Sequence, residues 1–478
     1  MFCRRALEKA CFLSKTAATQ CLRNSIRGEC VAAHDVLHSL PGPEVTTINN
    51  GLKVVSESNG KRSATVGVWI NAGVFCEDEE NSGASNLIQR LFARGTGKKS
   101  TTHLQDQLSK IGARLTSYVE RDRTVVFAEC DSADVENVVE IIADVVRNSK
   151  LDEETVELER SLVLKDIENA EENSIDTVFD LLHKAAFQGT PYEKSLLGTT
   201  SSIKSLSANE LKNFIDKHYV PSRIALVGVG DIDHSSLVSL SQKYFGDLRE
   251  DGKSKPKASN ERVRFTGSEI RYRDDSMPFM YGAVAVESVP FGHPDYIPMH
   301  IAHTIVGQWD RRIANSSNSS SKLVQKVCNM PDIHLYQSFL LNYKHTGLFG
   351  VHFVAEGKDI AFVFNLLQAI QKEWKYLATT TTDEEIDRAK NALKTNVFSQ
   401  FESNSLRADD LGRHALCSSK IPSLVEIEEA IEKVNKESLH EVVMNNVYDR
   451  DLATAGAGRT EAFPDYLLLR FGMSWWRL

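Results

Sequence analysis

The stretch GASNLIQRLFARGT, Gly83 to Thr96, decides how the rest of the chain is interpreted. Its apolar residues recur at i, i+3, i+4, i+7 and i+8, the pattern of an α-helix with one buried face. Asn86, Gln89 and Arg90 lie on the same helix, at the spacing with which a metal-binding helix carries two ligands and a catalytic base. The stretch is therefore either a catalytic helix or a helix that has only the shape of one.

The elements around this helix occur twice along the chain. EVTTINNGLKVVSES predicts a hairpin that turns at Asn50-Gly51, and VGVWINAG predicts the strand before the helix. YGAVAVESV, much later, resembles that strand and again leads into a helix. SANELKNFIDKHYVPSRIALVGVG aligns with NKESLHEVVMNNVYDRDLATAGAG at a constant shift, which sets Gly230 onto Gly458. A repeat this long indicates a duplicated domain.

The repeat predicts the fold class. We expect an α+β protein of two homologous α/β halves, residues 45–248 and 265–478, each with a mixed or antiparallel sheet and helices on one face. The polar, basic run REDGKSKPKASNERVR, residues 249–264, is expected to be the linker. Two such halves joined by a tether predict a clamshell around a central cavity.

The amino terminus differs in charge from the remainder. The first thirty residues contain six Lys or Arg and only two Glu, and the basic and apolar residues separate onto two halves of a helical wheel. This composition is typical of a mitochondrial transit peptide, which we assign to residues 1–32. The alternative is a disordered basic tail.

Overall composition excludes several classes of function. The net charge is −9 despite the basic amino terminus, so the body is acidic and nucleic acid is not an expected partner. The apolar runs, such as IALVGVG at Ile224 to Gly230, are far shorter than the ~18 residues that cross a bilayer. Attachment to a membrane would have to be peripheral, through partner proteins.

The order of elements, the duplication and the stretch from Gly83 resemble the pitrilysin family of zinc peptidases. In that family the helix carries H-x-x-E-H, in which two His bind zinc and the Glu is the general base. The resemblance implies that Asn86 and Arg90 occupy the His positions and that Gln89 occupies the base position. The family's third, acidic ligand falls on Asp166.

These residue types do not suit the chemistry of a zinc peptidase. Asn is a poor zinc ligand, Gln cannot accept a proton as a carboxylate does, and Arg has no lone pair to donate. We therefore predict no catalytic residue, no metal and no cofactor. Asn86, Gln89, Arg90 and Asp166 would be vestigial positions, with the Arg90 guanidinium paired to Asp166.

Two further pairs were considered as metal ligands. His300 and His303 are three residues apart, as are Asp180 and His183. Each pair lacks a third ligand nearby in sequence, which favours surface or half-buried histidines over a metal site.

The resemblance narrows to the core subunits of mitochondrial ubiquinol–cytochrome c reductase and the β subunit of the mitochondrial processing peptidase. The segments that carry it are FDLLHKAAFQGTPYEKSLLGTTSSIKSLSANELKNFIDKHY, TGLFGVHFV and the tail FPDYLLLRFGMSWWRL. Phe471, Trp475 and Trp476 of this tail are expected to pack on the body. The absence of H-x-x-E-H favours the first reductase core subunit over the peptidase subunit.

This resemblance implies a non-catalytic scaffold on the matrix side of the mitochondrial inner membrane, needed for assembly and stability of the respiratory complex. Its partners would be a second core subunit of the same fold, cytochrome b and cytochrome c1. Two alternatives stay open. One is a β-type subunit of the processing peptidase, a zinc endopeptidase that cleaves presequences. The other is a free protein that binds peptides without hydrolysing them.

Overall fold

Two six-stranded sheets form the framework of the molecule. The computed structural model describes residues 41–172, 174–248, 263–313, 316–418 and 420–473. The strands of the first sheet are β1 (Glu44–Thr47), β2 (Lys53–Ser58), β3 (Ser63–Ile70), β4 (Arg114–Val119), β5 (Thr124–Asp131) and β6 (Ile224–Gly230). The strands of the second are β7 (Glu269–Arg273), β8 (Met280–Ser288), β9 (Gln308–Asp310), β10 (Ile333–Asn342), β11 (Gly347–Ala355) and β12 (Ala453–Gly458).

Helices connect these strands in both halves. Those of the first half are α1 (Ala84–Leu91), α2 (Thr101–Lys110), α3 (Val135–Arg147), α4 (Glu153–Glu172), α5 (Ser174–Ala186), α6 (Thr200–Ser205), α7 (Ala208–His218) and α8 (His234–Phe245). Those of the second half are α9 (Tyr296–Val306), α10 (Lys322–Val327), α11 (Ile360–Thr379), α12 (Asp383–Phe401), α13 (Asn404–Cys417), α14 (Leu424–Lys433), α15 (Lys436–Asn446) and α16 (Tyr466–Phe471).

The strand order confirms the duplication. The first sheet runs β1-β2-β6-β3-β5-β4 and the second β7-β12-β8-β11-β10-β9, so five strands recur in the same order. Each sheet has one parallel pair, β2 with β6 and β7 with β12, and is otherwise antiparallel. Gly230 and Gly458 end the equivalent strands, both with positive φ (133° and 88°). A Cβ at Gly230 would lie 2.6 Å from the Ser63 carbonyl oxygen, which explains the glycine.

One helix of each half packs against the sheet of the other half. Helix α5 packs against β8 and β12 of the second sheet, and α13 packs against β3 and β6 of the first. The prediction of helices on only one face of each sheet was therefore wrong. The reason is visible in the central strands: every residue of β6 and β12 is buried, so both faces of these strands need a cover. The exchange joins the two halves of the clamshell.

Helix α13 lies directly on the indole of Trp69 in β3. The Trp69 Nε1–H donates to Asp409 Oδ1 at 2.9 Å, and Tyr118 also donates to this carboxylate. A Cβ on Gly412, one turn further along α13, would be 2.4 Å from the Trp69 ring. The close approach of helix and sheet therefore depends on glycine at position 412.

Gly412→Ala is expected to lower the free energy of unfolding by about 1–3 kcal/mol, because the added methyl group overpacks the contact with Trp69. Alanine has a higher helix propensity than glycine, so without this contact the substitution would raise the free energy of unfolding. The sign of the measured change therefore distinguishes overpacking from helix propensity. Urea denaturation of the purified chain measures it. Gly97→Ala is the control, since a Cβ there would meet only the Asn148 carbonyl oxygen at 3.9 Å. Equal stability of both variants would contradict the close packing.

The carboxyl-terminal helix differs from its expected packing. Leu469 of α16 is buried, but the Phe471 side chain is half exposed, so the prediction that Phe471 packs on the body was wrong. The six-residue helix places its single buried leucine, Leu469, inward, and Phe471, two positions later, projects from a different side of the helix. Trp475 and Trp476 lie outside the described residues.

Two other predictions also lie wholly or mostly outside those residues, namely the transit peptide at 1–32 and the linker at 249–264. The domain boundaries therefore stay predictions. Among the described helices, none has the length and apolar composition required to span a bilayer.

Candidate functional site

Helix α1 begins with a cap that the sequence analysis missed. Gly83 precedes it with φ of 91°, and a Cβ there would come within 2.4 Å of the Ile203 side chain. The Glu77 carboxylate accepts hydrogen bonds from the backbone N–H groups of Gly83 and Ser85, both at 2.8 Å. A negative charge at a helix amino terminus is favourable, and these bonds satisfy two otherwise free N–H groups. Glu77, seven positions before the first residue of the helix, thus helps to fix the orientation of α1.

The Glu77 side chain is only 2% exposed, and this burial raises its pKa to about 7 although two N–H groups favour the charged form. A carboxyl group with a raised pKa holds its proton in the folded chain where the unfolded chain has lost it. Its contribution to stability is thus complete below pH 4.5 and is lost as the pH rises to about 7.

Glu77→Gln is expected to remove this dependence. The wild-type free energy of unfolding should fall between pH 5 and pH 7 by about 2 kcal/mol more than that of the variant. Urea denaturation at the two pH values tests it. Glu80→Gln, at an exposed position nearby, is the control and should leave the difference unchanged. The explanation fails if Glu77→Gln has the same pH dependence as the wild type.

Three of the side chains at the positions predicted to be vestigial, Asn86, Arg90 and Asp166, bind one another. Arg90 Nη2 lies 2.5 Å from Asp166 Oδ2, so the ion pair expected from the sequence is present. Arg90 Nε donates to Asn86 Oδ1 at 2.9 Å, and the Asn86 amide donates to the Leu196 carbonyl oxygen at 3.2 Å. The guanidinium therefore occupies the space between Asn86 on α1 and Asp166 on α4. All three residues are half-buried.

Gln89 makes contacts that a general base does not make. Its Nε2 donates to the Ser117 carbonyl oxygen at 2.9 Å and to the Ser117 hydroxyl at 2.6 Å. Ser117 lies in β4, the strand at the edge of the first sheet. The amide thus joins α1 to the sheet edge, in a role that needs a hydrogen-bond donor and not a proton acceptor.

A second ion pair runs parallel to the first. Arg94, in the short turn after α1, donates to Glu159 of α4, whose side chain is 3% exposed. Arg90 and Arg94 are four residues apart, and Glu159 and Asp166 are seven apart, so each pair lies on one helical face. The sequence analysis missed this contact, although these spacings were a signal that could have shown it.

This arrangement offers a poor site for a divalent cation. Position 90, where the family pattern has a histidine, carries the Arg90 guanidinium, which has no free lone pair. The Asn86 oxygen and the Asp166 carboxylate both accept hydrogen bonds from this guanidinium. Within the described ranges there is no group of three or more His, Cys, Asp or Glu side chains arranged to hold a metal ion. The arrangement can hold α1 and α4 together.

The two histidine pairs differ in burial. His300 and His303 are half-buried, as predicted. His183 is fully buried, so its prediction as a surface or half-buried residue was wrong. The reason is that both ring nitrogens have partners: Nδ1 lies 2.7 Å from the Phe179 carbonyl oxygen and Nε2 2.7 Å from the Tyr343 hydroxyl. Burial holds the pKa of His183 well below its usual value, and the neutral ring joins α5 to the second sheet.

Comparison with known proteins shows the family of this chain. The model of the insulinase peptidases, family M16, matches residues 53–200, and that of the M16 inactive domain matches residues 205–393. Subunit 1 of the mitochondrial cytochrome b-c1 complex of Caenorhabditis elegans is 44% identical to 97% of the chain and 98% of its own length. The chain belongs to the M16 family of peptidases. The expected resemblance to this family and its reductase core subunits is confirmed.

Two other M16 relatives complete the comparison. The β subunit of the human mitochondrial processing peptidase is 38% identical over 93% of this chain and 90% of its own. A chain of the solved structure "Complex III2 from Candida albicans, Inz-5 bound" superposes with a TM-score of 0.80, covering 90% of this chain and 99% of that one. Its sequence is 24% identical, so it supports the fold. The predicted fold class, two M16 halves with mixed sheets and helices, is confirmed.

Proposed function

We propose that the chain is a non-catalytic core subunit of the mitochondrial ubiquinol–cytochrome c reductase. The observation that carries the proposal is the position of the Arg90 guanidinium, which bonds both Asn86 and Asp166 where M16 peptidases hold zinc. A subunit that has lost this site can keep the fold for its surfaces alone. The similarity to the nematode cytochrome b-c1 subunit supports the choice of complex.

Ligand chemistry supports the proposed loss of the site. A catalytic zinc needs three protein ligands with free lone pairs and an open position for water. In this chain Arg90 supplies a positive charge in place of the metal, and Gln89 supplies an amide that is bonded to Ser117. Neither group can activate a water molecule at neutral pH. The residues of the proposed vestigial site therefore hold two helices in place.

Partners and location are parts of the same proposal. The chain would pair with a second core subunit of the same fold and contact cytochrome b and cytochrome c1 on the matrix side of the inner membrane. Residues 1–32 would be removed on import. Residues 45–248 and 265–478 would be the two M16-type domains, joined by the linker at 249–264.

Purification from mitochondrial inner membranes in mild detergent tests the proposal. On a native gel the chain is expected to migrate with a large species that contains haems b and c1. Its zinc content by mass spectrometry is expected to be far below one ion per chain. A small species without haem would overturn the proposal and favour the free peptide-binding protein.

One observation favours a second candidate, the β subunit of a processing peptidase: the identity to the human subunit is 38% over nearly the whole chain. Incubation of the purified chain with a presequence peptide, alone and with an α-type partner, distinguishes the two. We expect no cleavage in either case. Cleavage that a chelator abolishes would establish the second candidate and exclude the first.

A further inference from the structure

Lys375 of α11 is a buried cation without a partner. The residue is only 8% exposed, and its Nζ is covered, with no hydrogen-bond acceptor in reach among the described residues. Lysine is almost never buried unless it is paired, because an ammonium group loses its hydration on burial. Burial and the nearby charge of Lys372 lower the pKa of Lys375. A group this costly points to an acceptor beyond the described residues, which a partner polypeptide can supply.

Lys375 is one of the residues that line a small groove. It has a volume of about 90 Å³ and lies between α11 and α16, where Phe364, Leu468 and Phe471 line it beside Lys375. The Gln371 amide donates to the Leu469 carbonyl oxygen at 2.6 Å and holds α16 against α11. The volume suits one short polar side chain. The groove is therefore a fixed feature of the packed helices.

Large apolar side chains surround the groove. Leu467 is 64% exposed, Leu468 47% and Phe471 50%, so half of the six-residue helix α16 presents apolar surface to solvent. Ile360 is 57% exposed and lies one turn before Phe364, on the same face of α11. A cluster of exposed large apolar residues around a polar pocket is typical of a protein–protein contact.

The surrounding charges favour a protein over an anionic membrane. Arg470 is paired with Asp449 and Asp451, both at 2.7 Å, and Asp465 caps α16 through the Leu467 N–H. The charge of Arg470 is therefore balanced, which leaves two lysines at the groove, Lys372 and Lys375. Anionic lipid surfaces attract clusters of four to eight unbalanced Lys or Arg. One buried ammonium group in an apolar rim matches one carboxylate in an apolar segment.

We propose that the α11–α16 groove is a docking site for a partner polypeptide that inserts one Asp or Glu side chain onto Lys375, with flanking apolar residues covering Leu467, Leu468 and Phe471. This inference extends the proposed function. It rests on that function in one respect, namely that the partner would be another subunit of the same complex.

Site-specific crosslinking tests the docking. The full-length chain carries the photoreactive p-benzoylphenylalanine in place of Leu468 and is expressed in mitochondria that lack the native chain. We expect one protein crosslink, on a peptide that contains Asp or Glu beside apolar residues. Lys375→Met should weaken this crosslink about tenfold, since a lost charge-assisted hydrogen bond is worth at least one order of magnitude. Lys110→Met, at an exposed lysine of α2 that does not line the groove, is the control and should leave it intact.

Thermal melting of the free chain gives a second readout. Lys375→Met fills the same volume without the unpaired charge, so the melting temperature should rise by about 2 °C. A lysine with a merely structural role would give a lower melting temperature. A crosslink that survives Lys375→Met, a crosslink to phospholipid only, or no crosslink in an assembled complex would each overturn the docking site. A Lys375-dependent crosslink in a haem-free species would overturn the proposed function and leave the docking site standing.

Discussion

Arg407→Leu is expected to lower the free energy of unfolding of the full-length chain by about 3–5 kcal/mol, the usual cost of removing one partner of a buried ion pair. Arg407 is 2% exposed and projects from α13 onto Glu57 of β2. Its Nη2 lies 2.6 Å from Glu57 Oε2, and its Nε lies 3.0 Å from the same oxygen. Its Nη1 donates to Asp410 Oδ2 at 2.5 Å.

The effect is large because the pair joins the two halves. Glu57 belongs to the first sheet, and its side chain is only 11% exposed, so leucine at position 407 leaves a carboxylate buried without its cation. The Arg407 guanidinium also lies 4.0 Å from the centre of the Phe401 ring, a cation–π contact that leucine does not make. Loss of both contacts weakens the hold of α13 on the opposite half.

Urea denaturation of matched variants measures the coupling. Arg388→Leu, at an exposed arginine on α12, should change the free energy of unfolding by no more than about 0.5 kcal/mol. The double variant Glu57→Gln/Arg407→Leu should be more stable than Arg407→Leu alone, because the buried charge is gone. A loss for Arg407→Leu no greater than that for Arg388→Leu would show that the pair does not hold the halves together.

The contact between Glu57 and Arg407 could not be predicted from the sequence. Glu57 and Arg407 are 350 positions apart, and no local pattern connects them. The helix from Ala84 to Leu91 and the repeat that sets Gly230 onto Gly458 could be predicted, because periodicity and internal repeats are visible in the order of the residues itself. The exchange of α5 and α13 could not, because it depends on which half covers the second face of each sheet.

The candidate site was predictable to the same extent. The pairing of Arg90 with Asp166 followed from a family spacing and the charges of the two residues. The cap at Glu77 was missed because the residues between it and Gly83 form a loop, whose path depends on tertiary contacts. Burial of His183 was missed because its partner Tyr343 lies in the other half. The contacts within the helix region could thus be predicted from the sequence. The contacts between the two halves could not.

Introduction of zinc ligands at the four positions proposed to be vestigial is expected to have the largest effect of all. Asn86→His and Arg90→His place two imidazoles four residues apart on α1, Gln89→Glu adds a carboxylate, and Asp166→Glu extends the acidic side chain of α4. This variant should bind one zinc ion per chain with a free energy on the order of 10 kcal/mol, which corresponds to a submicromolar dissociation constant. Zinc is measured by mass spectrometry after dialysis against the metal at neutral pH.

The reason lies in the helices that the Arg90 ion pair now joins. Arg90 reaches Asp166 across the space between α1 and α4, so the two helix faces already point at each other. The variant Asn86→His/Gln89→Glu, which keeps Arg90, is the matched control and should bind no zinc. The guanidinium repels the cation and remains paired with the Asp166 carboxylate, which is then not free to bind the metal. If the fully substituted variant folds, as judged by its circular dichroism spectrum, but takes up no zinc, these four positions are not the remains of a metal site. Zinc binding by the control would show instead that Arg90 does not occupy the place of the metal.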